Sequence, residues 1–193
     1  MFRSFFFAGF EGTVGWNRHH QWIDQVISTQ HDLHVEADYR RLREAGLWAA
    51  REAVRWPLVD QRHGYDFRSL DPFIAASERH DIDVVWDLFH YGYPLDLDPF
   101  APAFVTRFAA YCHAVASYLV RRVSRPLYFS PVNEPSYLAW AAGEAARFAP
   151  HRRNCGRELK IALATAAIAG IQALREVAPA ARIINIDPIC NVV

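Results

Sequence analysis

The chain has 193 residues, 52% hydrophobic and 22% charged, the composition of an ordinary globular domain, which excludes disordered and fibrous classes. Lys plus Arg and Asp plus Glu both number 21, so no net field recruits nucleic acid or an anionic membrane surface. Three cysteines, Cys112, Cys155 and Cys190, stand far apart in none of the spacings that hold zinc or a redox disulfide, and are expected as free thiols in a reducing, cytoplasmic compartment.

The first expected element is a strand over residues 4–10. Its run Phe5-Phe6-Phe7-Ala8 is too short for a signal-peptide core and lacks a small-residue cleavage pattern after it. No stretch approaches the roughly 18 apolar residues that a membrane span needs. A polar loop over 13–31 follows, holding His19-His20 and two tryptophans. Val35, Tyr39 and Leu42 at helical spacing predict a helix over 35–45, with Gly46 as its stop. A second strand is expected over 47–54, closed by Arg55-Trp56-Pro57.

Asp71-Pro72 sets a capping side chain before a proline suited to the first helical position, so a helix is expected over 72–79. Residues 81–89 form a third strand whose near-continuous apolar centre suits a strand covered on both faces. After a proline-rich loop, Pro102 opens a long helix in which Phe104, Phe108, Tyr111, Val115 and Leu119 recur on one side. Its basic end, Arg121-Arg122, suits the negative terminus of a helix dipole. A fourth strand, from Leu127, runs into Pro131-Val132-Asn133-Glu134-Pro135. A helix over 159–177, stopped by Pro179, and a fifth strand over 182–187 complete the chain.

Strand, loop and helix recur at intervals of roughly 35–55 residues, the spacing of βα units in a parallel sheet, with no linker or low-complexity segment. Residues 1–193 thus read as a single α/β domain. Two architectures fit: about five units of an incomplete (β/α)8 TIM-type barrel, or an open five-stranded doubly wound sheet. No glycine-rich phosphate loop follows the first strand, which counts against a nucleotide-binding sheet.

Candidate chemistry gathers at strand ends. Glu11 follows the first strand, Arg51 lies in the second, His90 follows the third and Asn133-Glu134 the fourth. In a parallel barrel these ends converge on one face. A proline on each side of Val132-Asn133-Glu134 restricts the backbone and holds both side chains in a fixed direction, as a catalytic acid would be mounted. Each residue also has a plainer account: Asn-Glu-Pro as strand punctuation, Arg51 paired with Glu52 or a helix-end carboxylate, His90 as a satisfied half-buried histidine, Glu11 as a loop carboxylate. His19-His20, His31 and His34 lie in a loop with no patterned carboxylate partner, so a solvated role is expected and no metal or cofactor.

Arg51-Glu52-Ala53-Val54-Arg55-Trp56-Pro57 resembles the second-strand signature of family 1 glycoside hydrolases, His90-Tyr91-Gly92-Tyr93-Pro94 resembles their third-strand His-Trp-Asp-Leu-Pro, and Val132-Asn133-Glu134-Pro135 is similar to their fourth-strand Asn-Glu-Pro. The three occur in register and cover strands one to four. The resemblance implies a barrel of the large clan of retaining glycosidases acting on β-linked sugars, β-glucosidase-like, with Glu134 as acid/base and Asn133 bonding the sugar 2-hydroxyl. It further implies Arg51 bracing the nucleophile and His90 and Glu11 bonding sugar hydroxyls; Trp140 is a further candidate for contact with substrate, since aromatic rings near strand ends suit stacking on sugar faces. Phe129, Tyr137 and Trp140 are expected to give Glu134 a partly apolar setting, which raises the pKa of a proton-donating acid.

Two departures matter. The family's strand-one Gln is unmatched, Gly9 or Glu11 standing there, and the Asp of His-Trp-Asp-Leu-Pro is Gly92. The resemblance also places a nucleophilic Glu on a seventh strand, whereas only five strands are legible. A retaining site needs two carboxylates about 5–5.5 Å apart, so the expectation is the N-terminal part of a glycosidase barrel. Its partners would be a carbohydrate and the missing barrel half, or a second copy through open sheet edges, with neither nucleic acid nor membrane. The competing expectation is a non-catalytic carbohydrate-binding or scaffolding piece.

Overall fold

The computed structural model describes residues 2–61 and 63–188. In chain order these form β1 (Ala8–Gly9), β2 (Val14–Trp16), β3 (Trp22–Asp24), α1 (Gln25–Ser28), α2 (His31–Glu44), β4 (Ala49–Ala53), α3 (Trp56–Val59), β5 (Asp60–Gln61) and β6 (Gly64–Tyr65). A 3-10 turn (Arg68–Leu70) then leads to α4 (Asp71–His80), β7 (Asp83–Asp87), α5 (Pro102–Val120), β8 (Tyr128–Ser130), α6 (Pro135–Gly143), α7 (Gly156–Val177) and β9 (Arg182–Ile183).

Five strands make one parallel sheet in the order β1-β4-β7-β8-β9. Each new strand is added on the same side of the last, with no reversal. A doubly wound sheet reverses its order at a switch point, and this one does not, so the alternative architecture is excluded. The molecule is an α/β arc of TIM-barrel type that does not close among the described residues.

Paired residues on parallel strands share a face and neighbours along a strand alternate. Ala50, Val84, Trp86 and Phe129 therefore point to one face, where they join the hydrophobic core with α2, α4, α5 and α7. The other face holds Arg51, Ala53, Val85, Asp87, Tyr128, Ser130 and Arg182. On the helix side Trp56 is fully buried, its ring stacked on Tyr111 at 5.5 Å and set edge-on to Phe89 at 5.3 Å. Helix α5 is apolar and long enough to cross a membrane, yet Phe104, Phe108, Tyr111, Val115 and Leu119 are all buried in this core.

Several expected boundaries shift. The first strand shrinks to Ala8–Gly9, because Phe2 turns in to stack on Tyr128 at 4.4 Å and Arg3 pairs with Asp81, leaving Phe5 and Phe6 exposed. The loop over 13–31 contains an antiparallel hairpin of β2 and β3 and the short α1, whose first turn Asp24 caps by accepting from Ile27 N. Helix α2 starts at His31, earlier than expected, and α7 at Gly156. Asp71 is the first helical residue of α4, and its carboxylate accepts from the Tyr118 hydroxyl instead of capping. The fifth strand holds only Arg182–Ile183, prolonged by a single parallel bridge from Ile186 to Asn133. Cys112 is buried, Cys155 is half-buried and both are free, while Cys190 lies outside the described residues.

Candidate active site

Arg51 projects from the inner face of β4 and donates from Nη1 to Asn133 Oδ1 at 2.6 Å. A guanidinium can only donate, which fixes the Asn133 amide with Nδ2 turned to His90 Nε2 at 3.1 Å. His90 must then accept at Nε2 and hold its proton on Nδ1, from which it donates to Asp87 Oδ2 at 3.0 Å. That oxygen lies 3.8 Å from Arg51 Nη1, so the four side chains close a ring. His90, Asp87 and Asn133 are all buried, and the Asn133 backbone N–H donates to Phe89 O at 3.0 Å, which locks the ring to the strand ends. Gly12 presses on it from below: a Cβ there would stand 2.4 Å from that of Ala53 and 3.0 Å from His90 Nδ1.

Glu11 Oε1 approaches His90 Nε2 to 3.3 Å and accepts from the backbone N and hydroxyl of Thr13. Burial works against its charge, but the Thr13 bonds and the nearby Arg51 hold its pKa below the ordinary carboxylate value.

Glu134 stands at the N-terminus of α6 with φ +45° and ψ 60°, a left-handed conformation that costs a non-glycine residue about 1–2 kcal/mol. The conformation persists because both backbone groups are tied: Glu134 N donates to Ile186 O at 2.8 Å, and its carbonyl accepts from Leu138 N at 2.9 Å. The half-buried side chain accepts at Oε2 from the Tyr91 hydroxyl at 2.7 Å. Tyr91 also has a left-handed backbone, φ +73°, and burial, then its bond to Glu134, push its hydroxyl pKa far above the ordinary value. At any working pH it donates.

The aromatic setting differs from expectation. Phe129 faces the helices with Trp86 and Ile183 and does not line the site. The rings beside Glu134 are those of Tyr91, Tyr137 and Phe148, with Tyr91 centred 5.4 Å from Tyr137 and 5.3 Å from Phe148. Trp140 lies one ring further out, 5.8 Å from Tyr137, nearly half exposed beneath the Arg147 guanidinium. Arg51 does not pair with Glu52, which alternates to the opposite face and accepts from Tyr39 at 2.7 Å and bonds His31 at 3.0 Å. His31 is therefore a buried helix residue rather than a loop one. His19, His20 and His34 are exposed, and no group of three or more potential metal ligands occurs among the described residues.

Glu134, Asn133, Arg51, His90 and Glu11 thus meet at one end of the sheet, and Trp140 stands at its margin. Sequence reasoning gave neither Tyr91 nor Asp87 a task, although an Asp three residues before a His at a strand end was the available signal. The site is open. A concavity of about 760 Å³ runs elsewhere, along Pro99–Thr106 and Glu158–Thr165.

These features define an arc of a parallel α/β barrel with a carboxylic acid and hydrogen-bonding side chains at its strand ends. It shares the fold of a beta-glucosidase from Thermotoga maritima in complex with castanospermine, at TM-score 0.74 and 18% identity, over 94% of this chain and 48% of that one. The family 1 b-glucosidase from the same organism with isofagomine lactam matches at TM-score 0.66 and 19% identity, over 76% of this chain and 35% of that one. The virulence factor SghA with its substrate analog salicin matches at TM-score 0.66 and 23% identity, over 79% and 36%. The chain therefore spans less than half the length of these structures. No protein-family profile and no curated protein matches it.

Proposed function

We propose that the chain supplies the acid/base half of a retaining, β-glucosidase-like glycoside hydrolase acting on O-glycosidic bonds in a reducing, cytoplasmic compartment. The observation that carries this reading is the mounting of Glu134: a half-buried carboxyl fixed in a strained backbone, one oxygen held by Tyr91, beside a locked ring of Arg51, Asn133 and His90. A glycosidic oxygen leaves poorly until protonated, and Glu134 is placed to protonate it and later to take a proton from water. Asn133 and His90 are already oriented by Arg51 and Asp87, so a sugar hydroxyl meets groups that need no further ordering. Glu11 and Trp140 complete the sugar contacts, the ring of Trp140 being suited to stacking on a sugar face.

The second carboxylate comes from polypeptide outside the described residues. Asp87 is fully buried under His90, and Asp187 is occupied by Ser136, whose hydroxyl and backbone N–H both donate to it. Calorimetry with glucose and cellobiose, beside an aryl β-glycoside assay, tests the reading. Sugar binding that Asn133→Ala abolishes, with no turnover, is expected. Turnover dependent on Glu134 would place a working nucleophile within these residues, and absence of any sugar binding would remove the glycosidase reading.

A further inference from the structure

Glu134 has two carboxyl oxygens, and only one can carry the proton it would deliver. The Tyr91 hydroxyl lies 2.7 Å from Oε2. A phenolic O–H that donates there takes one of the two lone pairs of Oε2, and because an oxygen bearing its own proton is a poor acceptor, the bond disfavours protonation at Oε2 relative to Oε1. Oε1 makes none of the hydrogen bonds among the described residues. Building on the acid/base reading above, we propose that Tyr91 is a positioning residue that assigns the transferable proton to Glu134 Oε1 and turns that oxygen toward the substrate.

The surroundings make this arrangement rigid. Tyr91 is nearly buried, with its ring between Tyr137 and Phe148 and edge-on to His90 at 4.8 Å, so the phenol cannot swing away without unpacking three neighbours. Both partners of the bond sit in left-handed backbone, Tyr91 after β7 and Glu134 after β8. The neighbouring strands hold the two strained residues at a fixed separation: Asn133 N bonds Phe89 O, and Leu88 N bonds Ser130 O at 2.9 Å. The remaining ionisable groups at this end are Glu11 after β1, Arg51 on β4, Asp87 and His90 on and after β7, Tyr137 on α6 and Asp187 after β9. Each except Tyr137 already has a partner described above. Tyr137 touches Tyr91 by its ring.

When the proton leaves Oε1, the electron pair stays on the carboxylate, and its charge is met at once by a hydrogen bond already formed at Oε2. Tyr91 keeps its own proton throughout. No rearrangement is then required at the moment of transfer, which is the property that makes a preorganised donor effective. The same bond prevents the carboxyl from turning over and presenting the wrong oxygen.

The test uses a glucose analogue fused to an imidazole ring, whose basic nitrogen lies where a glycosidic oxygen would and takes the proton from Oε1. Tyr91→Phe keeps the ring and its packing but removes the donor. Expected is a loss of affinity for the imidazole sugar of about tenfold, the scale of one hydrogen bond to a charged group, with glucose affinity unchanged to within about twofold. Equal loss for both sugars, or for neither, overturns the proposal. A ligand-free measurement decides it even where the variant fails to fold: the Tyr91 hydroxyl proton, shielded from exchange by its bond, gives a proton resonance expected in the parent chain and absent in Glu134→Ala. A resonance unchanged by Glu134→Ala overturns the assignment. Failure of the parent chain to bind either sugar would instead strike at the glycosidase reading and leave the hydroxyl measurement to judge Tyr91 alone.

Discussion

His31 shows how one side chain away from the site sets a response of the whole chain to pH. It bridges Asp38 at 2.8 Å and Glu52 at 3.0 Å beneath the Phe10 ring, 3.6 Å away. Burial opposes its charge, but the bonds to Glu52 and Asp38 win and raise its pKa above 6.5. Burial raises the pKa of Glu52, against the opposing pull of His31 and Tyr39. A group whose pKa is raised in the fold contributes stability that is complete below its unfolded value and disappears as pH rises through the folded one. Thermal unfolding followed by circular dichroism should therefore show a midpoint that falls as pH rises above 6.5, and His31→Gln should flatten that slope. A midpoint that climbs over the same range would contradict the bridge. At this scale the sequence announced Glu134 and Asn133 through the flanking prolines, because proline acts locally. It could not announce which of the strand neighbours Glu52 and Arg51 faces the helices and which the site, since that depends on which face the sheet turns to the helices.

Among the elements, long periodic stretches were legible and short ones were not. Helices α5 and α7 announce themselves by apolar recurrence over many turns, whereas β2, β3, β5, β6 and α3 hold two to four residues each and depend on contacts made elsewhere. Helix α6 was missed for a different reason: it follows Glu134 directly, where Pro135 reads as loop punctuation although proline is well tolerated in a first helical turn. Its far end shows how closely α6 and α7 approach. A Cβ on Gly143 would lie 2.8 Å from the Gly156 Cα and 3.0 Å from its nitrogen, backbone atoms that cannot step aside. Gly143→Ala should destabilise the chain by about 1–3 kcal/mol in urea unfolding, the cost of overpacking a tight contact. A neutral result would mean that the two helices are free to part.

At the scale of the molecule, the βα rhythm in the sequence was compatible with two folds, and only strand order chose between them. Order is a property of long-range pairing, and no local motif encodes it. The sequential order leaves β1 and β9 as the outermost strands, each with one unpaired side among the described residues. Open edges of this kind invite pairing. Sedimentation at rising protein concentration should show self-association, which Gly9→Pro should alter while the interior strands remain unaffected, because Phe10 N turns inward to Arg51 O and the Gly9 N–H, one residue earlier, faces the open side of β1. A species of constant mass across that range would show that the edges are protected.

The concave wall of the arc carries Arg51, Asp87, Ser130 and Arg182 beside Ala53, Val85 and Tyr128, where the convex side carries Trp86 and Phe129. Charged side chains thus gather on the side away from the helices, and the largest aromatic rings of the strands on the side the helices roof. A strand that added at either rim would be held by backbone bonding beside a wall rich in charged side chains.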